Sequence, residues 1–169
     1  AGFGSDGLDV WGTDQQPSTD EIVERLLQAE PERVWYLRYA FKSGMTIEEI
    51  YRLTGIDPWF LDQILAISEE RLHLAGLAPI GGGVPSMGRR DWRRAKQLGF
   101  ADAQLAHIWS CGLDEVRAAR EAAGVRPTYK TVDTCGAEFA AETPYHYSAW
   151  EDEDEVRPSD RPKVMILGA

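Results

Sequence analysis

Residues 34–64 read VWYLRYAFKSGMTIEEIYRLTGIDPWFLDQI, and the punctuation of this stretch decides the fold class. Pro31, just upstream, suits the first turn of a helix. Val34, Leu37 and Phe41 then recur at three- and four-residue spacing, with Trp35 and Tyr39 widening the stripe. That face is expected in a core. Gly44 closes the helix. Thr46 and Glu49 have capping-box spacing and open a short helix with Ile47, Ile50 and Leu53 inward. Gly55 turns the chain, and Asp57-Pro58 supplies an N-cap followed by proline at the first helical position. The helix that follows carries Phe60, Leu61, Ile64, Leu65 and Leu72 and ends near Gly76.

The same signals extend in both directions. Residues 1–17 are rich in Gly and Asp and read as a loop or frayed tail. Ser18 and Glu21 begin a helix with Ile22, Leu26 and Ala29 on its apolar face. Residues 76–88, GLAPIGGGVPSMG, form a break. A basic helix follows from Arg89, with Trp92, Ala95 and Leu98 on one side and Gly99 at its end. Short helices are expected near 102–109 and 114–123, with a turn at Gly112. The two halves resemble each other: Gly44 matches Gly99, Ile50 matches Leu105, Ile56 matches Leu113 and Asp57 matches Asp114. That alignment needs one or two extra residues near the second turn and implies two small helical subdomains, about 18–76 and 88–125.

Beyond Pro127 the helical period disappears. Tyr129, Val132, Phe139, Tyr145, Tyr147 and Trp150 are scattered along a segment expected to be mostly extended, with a turn of helix near Glu138 to Ala141. These six aromatic and apolar residues are the candidates for packing against another surface. The acidic run Glu151 to Glu155 reads as a solvated linker. Lys163 to Leu167 with Gly168 reads as the first strand of an α/β domain, expected to continue beyond this span.

Charge and composition narrow the function. The net charge is −10, and it is uneven: residues 1–30 hold one basic and seven acidic residues, 87–131 nine basic and five acidic, 132–162 two basic and nine acidic. Such a chain repels polyanions overall. Residues 46–64 match a helix-turn-helix in outline. Yet residues 58–72 set Asp62, Glu69 and Glu70 against Arg71 alone, a poor surface for phosphates. Arg89, Arg90, Arg93, Arg94 and Lys96 read as a solvated or interdomain basic face, with the acidic 151–155 run or an acidic neighbouring domain as partner.

Catalytic signals are missing. Cys111 and Cys135 are unpatterned, and they show no metal-ligand spacing with His73, His107 and His146. Cys135 lacks an oriented base, Glu138 and Glu142 lack a pocket, and Gly81-Gly82-Gly83 lacks the Lys-Ser/Thr of a phosphate loop. No apolar run approaches the length of about 20 residues that spans a bilayer.

RPTYKTVDTCGAEFAAETPYHYSAWEDEDE at 126–155, with DRPKVMILG at 160–168, resembles the connector of the carbamoyl phosphate synthetase large subunit. Residues 34–64 and LGFADAQLA at 98–106 are similar to its helical oligomerisation domain, and Ala1 to Gly4 to the tail of its first ATP-grasp half. The resemblance implies a mainly α fold of two helical subdomains, an extended arm and one terminal strand of a second synthetase half. Its expected boundaries are 1–17, 18–125, 126–162 and 163–169. It implies a parent ligase that makes carbamoyl phosphate for arginine and pyrimidine synthesis. That parent would use bicarbonate, glutamine-derived ammonia and two ATP, with Mg or Mn and K. It also implies as partners the two synthetase halves, a glutaminase subunit or domain and a homo-oligomer, with no nucleic acid or membrane, in the cytoplasm. No catalytic, cofactor or metal residue falls on this chain. The alternative is a free-standing helical interaction or DNA-binding module.

Overall fold

The computed structural model describes residues 16–139, 145–156, 159–162, 164 and 166. Seven helices lie among them: α1 Thr19–Leu27, α2 Arg33–Lys42, α3 Ile47–Thr54, α4 Pro58–Gly76, α5 Arg89–Gln97, α6 Asp102–Trp109 and α7 Leu113–Ala122. Two strands follow, β1 Thr128–Thr131 and β2 His146–Ala149. The chain divides into two compact units, residues 1–125 and 126–169.

Local capping chemistry sets the helix starts. Ser18 Oγ accepts from Glu21 N, and Asp57 Oδ1 accepts from Trp59 N. Thr46 and Glu49 complete a reciprocal box: Glu49 N donates to Thr46 Oγ1 and Thr46 N donates to Glu49 Oε2 at 2.7 Å. These bonds satisfy amides that have no partner within the helix.

Burial follows the expected stripes in part. Ile22, Leu26, Tyr36, Leu37, Tyr39, Ala40, Ile50 and Leu61 form one core cluster. Five consecutive residues of α2, Tyr36 to Ala40, are buried, so this helix is enclosed around its circumference rather than along one stripe. Val34, expected inward, is exposed, and so are Phe60 and Leu72 on α4. Ala29 lies past the end of α1 and is exposed. Leu74 at the end of α4 is fully buried, as are Trp92, Ala95, Leu105, Trp109 and Val116 in the second half.

The arm folds back on itself. β1 and β2 pair antiparallel, with Tyr129 opposite Ser148 and Lys130 opposite Tyr147. After β1, Asp133 caps a tight turn, its carboxylate accepting from Cys135 N and Ala137 N. Glu138 and Phe139 are in a bend rather than the expected helical turn, and residues 140–144 lie outside the described residues. Of the strand expected at 163–167, Val164 and Ile166 are described, and both are exposed. The rest of that stretch, like residues 1–15, lies outside the described residues.

Candidate packing and association surfaces

The helical unit is built from a repeated module whose register the hydrogen bonds define. Gly44 and Gly99, 55 residues apart, both adopt left-handed φ, at 90° and 91°. Around them the same bonds recur. Met45 N donates to Ala40 O and Phe100 N to Ala95 O; Gly44 N donates to Phe41 O and Gly99 N to Lys96 O. The spacing then holds without interruption. Thr46 and Ala101 are N-caps, Gly55 and Ser110 are left-handed C-caps, and Asp57 and Gly112 are the next N-caps. The insertion expected near the second turn is therefore absent. Asp57 corresponds to Gly112 rather than Asp114, and Ser110, at φ 53°, makes the turn assigned to Gly112. A non-glycine residue at this φ hid the equivalence from the sequence.

Long-range polar contacts join α4 to the second module. Trp109 Nε1 donates to Leu74 O at 2.9 Å, inside the core. The Trp109 ring meets Trp92 edge-on, with centroids 5.5 Å apart. Its carbonyl accepts from Gly83 N, so the glycine loop at 81–83 closes over the end of α6. A Cβ on Gly82 would lie 2.7 Å from Ser110 O. Glu70, buried on α4, accepts from Arg94 Nε of α5. That bond raises the pKa of the Arg94 guanidinium further.

A buried charge cluster braces the second module. Lys96 Nζ donates to Asp102 Oδ1 at 2.9 Å and to Phe100 O. Arg120 donates from Nε and Nη2 to the Asp102 carboxylate and from Nη1 to Val125 O. Burial pushes the Lys96 ammonium below its usual pKa, against the pull of Asp102. Burial works against ionisation of Asp102, yet the Arg120 and Lys96 bonds outweigh it and hold the carboxyl below the usual range. Lys96 and Arg94, read as part of a solvated or interdomain face, thus have partners inside the helical unit. The acidic run takes another partner. Glu155 accepts from Thr131 N at 2.7 Å and from Lys130 Nζ at 3.2 Å, which lowers its pKa. This carboxylate is a structural clasp on β1, where a solvated linker was expected.

The six arm residues separate by strand parity. Lys130, Val132, Tyr145 and Tyr147 fall on one face of the hairpin, and Tyr129, Thr131, His146 and Ser148 on the other. Tyr129, Phe139, Tyr145 and Tyr147 are exposed, with Phe139 at 75% and Tyr145 at 62%. Val132 and Trp150 are half-buried. In the helical unit Trp59 and Phe60, stacked edge-to-face at 4.9 Å, are also exposed, at 62% and 58%. Among the described residues no group of His, Cys, Asp and Glu is placed to hold a metal, and no helix is long and apolar enough to cross a membrane.

Residues 2–124 match the family described as carbamoyl-phosphate synthetase large chain, oligomerisation domain. The chain belongs to this family. It is also 49% identical, over 99% of its length, to the carbamoyl phosphate synthase large chain of Rhodopirellula baltica. It is 46% identical to that of Archaeoglobus fulgidus over 99% of its length, and 48% identical to that of Thermus thermophilus over 88%. It spans 15% of the length of the first two relatives and 14% of the third. The oligomerisation-domain match favours a segment of a larger chain over a free-standing helical or DNA-binding module. The matched residues coincide with the helical unit, which holds the repeated module and its charge cluster.

Proposed function

We propose that this chain is the connecting segment of a carbamoyl phosphate synthase large chain. The observation that carries the reading is 49% identity across 99% of the chain to such a large chain. The parent is an ATP-dependent ligase that forms carbamoyl phosphate from bicarbonate, ammonia from glutamine and two ATP, with Mg or Mn and K. It feeds arginine and pyrimidine synthesis in the cytoplasm and takes its ammonia from a glutaminase subunit or domain. Residues 1–17 are the tail of the first synthetase half, 18–125 the helical connection domain, 126–162 the arm and 163–169 the entry to the second half.

Within that parent these residues act as a scaffold. The helical unit offers the self-association surface. The arm packs Tyr129, Val132, Phe139, Tyr145, Tyr147 and Trp150 against the synthetase halves. The exposure of Tyr129, Phe139, Tyr145 and Tyr147 in the present chain supports this: aromatic rings left in water are the groups that gain most from a partner.

Two measurements test the reading. Light scattering on the isolated chain should give a mass above the 18.9 kDa of one copy. A single copy at every concentration would remove the self-association role. Deleting 126–150 from the large chain should lower both its overall synthesis rate and its thermal stability; no change in either would refute the arm's role.

A further inference from the structure

The two edges of the arm's sheet are unlike. Along an antiparallel strand the main-chain groups of successive residues point alternately to the two neighbours. Val132 N donates to Tyr145 O at 2.8 Å, so Lys130 and Val132 face β2 while Tyr129 and Thr131 face away. That outer edge of β1 is closed by the same chain. Glu155 N donates to Tyr129 O at 2.9 Å, and the Glu155 carboxylate accepts from Thr131 N.

The edge of β2 is open. By the same register Tyr147 and Ala149 face β1, and His146 and Ser148 turn their N–H and C=O groups outward. Among the described residues nothing hydrogen-bonds to those four groups. The strand is short, at four residues, and has no protecting side chain: Tyr145 to Trp150 contains no lysine, no proline and no carboxylate. A two-stranded ribbon is marginal in water and gains a stable sheet only with a third strand or a packed face.

We propose that the outer edge of β2 receives a strand from another part of the large chain, outside these 169 residues. The strand hydrogen-bonds to His146 and Ser148 and sets an apolar side chain beside Tyr147. The inference rests on the large-chain reading above. Two considerations select this occupant. The chain spans 15% of its relatives' length, so most of the polypeptide is tethered nearby at high effective concentration. A second copy pairing β2 with β2 would join two outward residues from each side, far short of the roughly 1,000 Å² a stable interface between free molecules needs.

Amide hydrogen exchange on the isolated chain and on the full large chain tests the proposal. The His146 and Ser148 amides should exchange freely in the isolated chain and slow by about tenfold or more in the large chain. Equal exchange in both overturns it. Slowing in the isolated chain that grows with concentration also overturns it, in favour of a second copy. A second variant separates pairing from folding. Ser148→Pro removes an outward amide that no β1 bond uses, so the isolated chain should keep its melting temperature while the large chain loses the His146 protection. Retained protection in a folded Ser148→Pro large chain counts against the added strand. Carbamoyl phosphate synthesis by the same large-chain sample is read separately, so failure of the enzymatic reading is distinguishable from failure of the edge.

Discussion

The indole Nε1 of Trp109, at the end of α6, donates to the main-chain oxygen of Leu74 in the last turn of α4. That carbonyl, at the helix end, also accepts from Leu77 N at 3.2 Å, so the indole is its second, longer-range donor. Trp109 is fully buried, so neither group has water as an alternative. The bond therefore couples the second repeat to the helix that ends the first.

Trp109→Phe keeps most of the ring's packing against Trp92 and removes the donor. The Leu74 carbonyl then keeps only the Leu77 amide, and loss of the indole bond should cost about 0.5–1.5 kcal/mol. Urea unfolding of the helical unit reads this directly. A loss below that of an ordinary surface substitution would show that the carbonyl finds another donor.

Asp102→Asn should be more damaging. It leaves Lys96 and Arg120, both buried, facing a neutral amide in place of their shared carboxylate. Breaking a buried pair by removing one partner costs about 3–5 kcal/mol. Thermal melting of the variant checks the size, and restoration toward wild type by Lys96→Met in the same chain would locate the cost in the stranded ammonium.

The Asp102 carboxyl also makes the helical unit acid-sensitive. Its folded pKa is depressed, so its contribution is complete above the unfolded value of about 3.9 and is lost as pH falls through the lower folded value. Glu155 makes the same kind of contribution in the arm. Stability of the wild-type helical unit should therefore fall below about pH 4 more steeply than that of Asp102→Asn. Parallel pH profiles for the two proteins would contradict this assignment.

Gly82→Ala tests the loop that closes over α6. The residue has φ 86°, and its new Cβ would meet Ser110 O, a main-chain atom held by the helix end. Strain in this backbone region costs on the order of 1–3 kcal/mol, and the clash adds to it. Gly81→Ala, with φ 90° and open space at the Cβ position, is the control. Equal melting temperatures for the two variants would show that the loop simply moves away.

Helix limits were readable because their causes lie within a few residues. The Thr46–Glu49 box, the Asp57-Pro58 start and the left-handed glycines at 44 and 99 each act on amides or carbonyls close in sequence. Burial was less readable. Val34 fits the apolar period of α2 as well as Leu37 does, yet it is exposed, while Tyr36 is buried with its hydroxyl donating to Glu21. A period identifies a face, but it does not say how many neighbours enclose the helix.

The arm shows the same division. Its aromatic content marked it as a packing segment, and residue parity could not be assigned without knowing where the chain turned. The turn is set by Asp133 and the left-handed backbone of Gly136 and Ala137, a combination with weak sequence signals. Once β1 and β2 are paired, the faces, the clasped edge and the open edge all follow from the register.

By itself, the sequence determined the mainly helical class, the positions of the caps and the family likeness, because these rest on residue identity and local hydrogen bonding. Tertiary structure alone decided that the 55-residue register continues through the second turn to Asp57 and Gly112, the partners of Lys96 and Arg94, and the docking of Glu155 onto β1. The Glu70–Arg94 and Thr131–Glu155 contacts each join residues 24 positions apart, and their energy exists only after the chain has closed the loops between them.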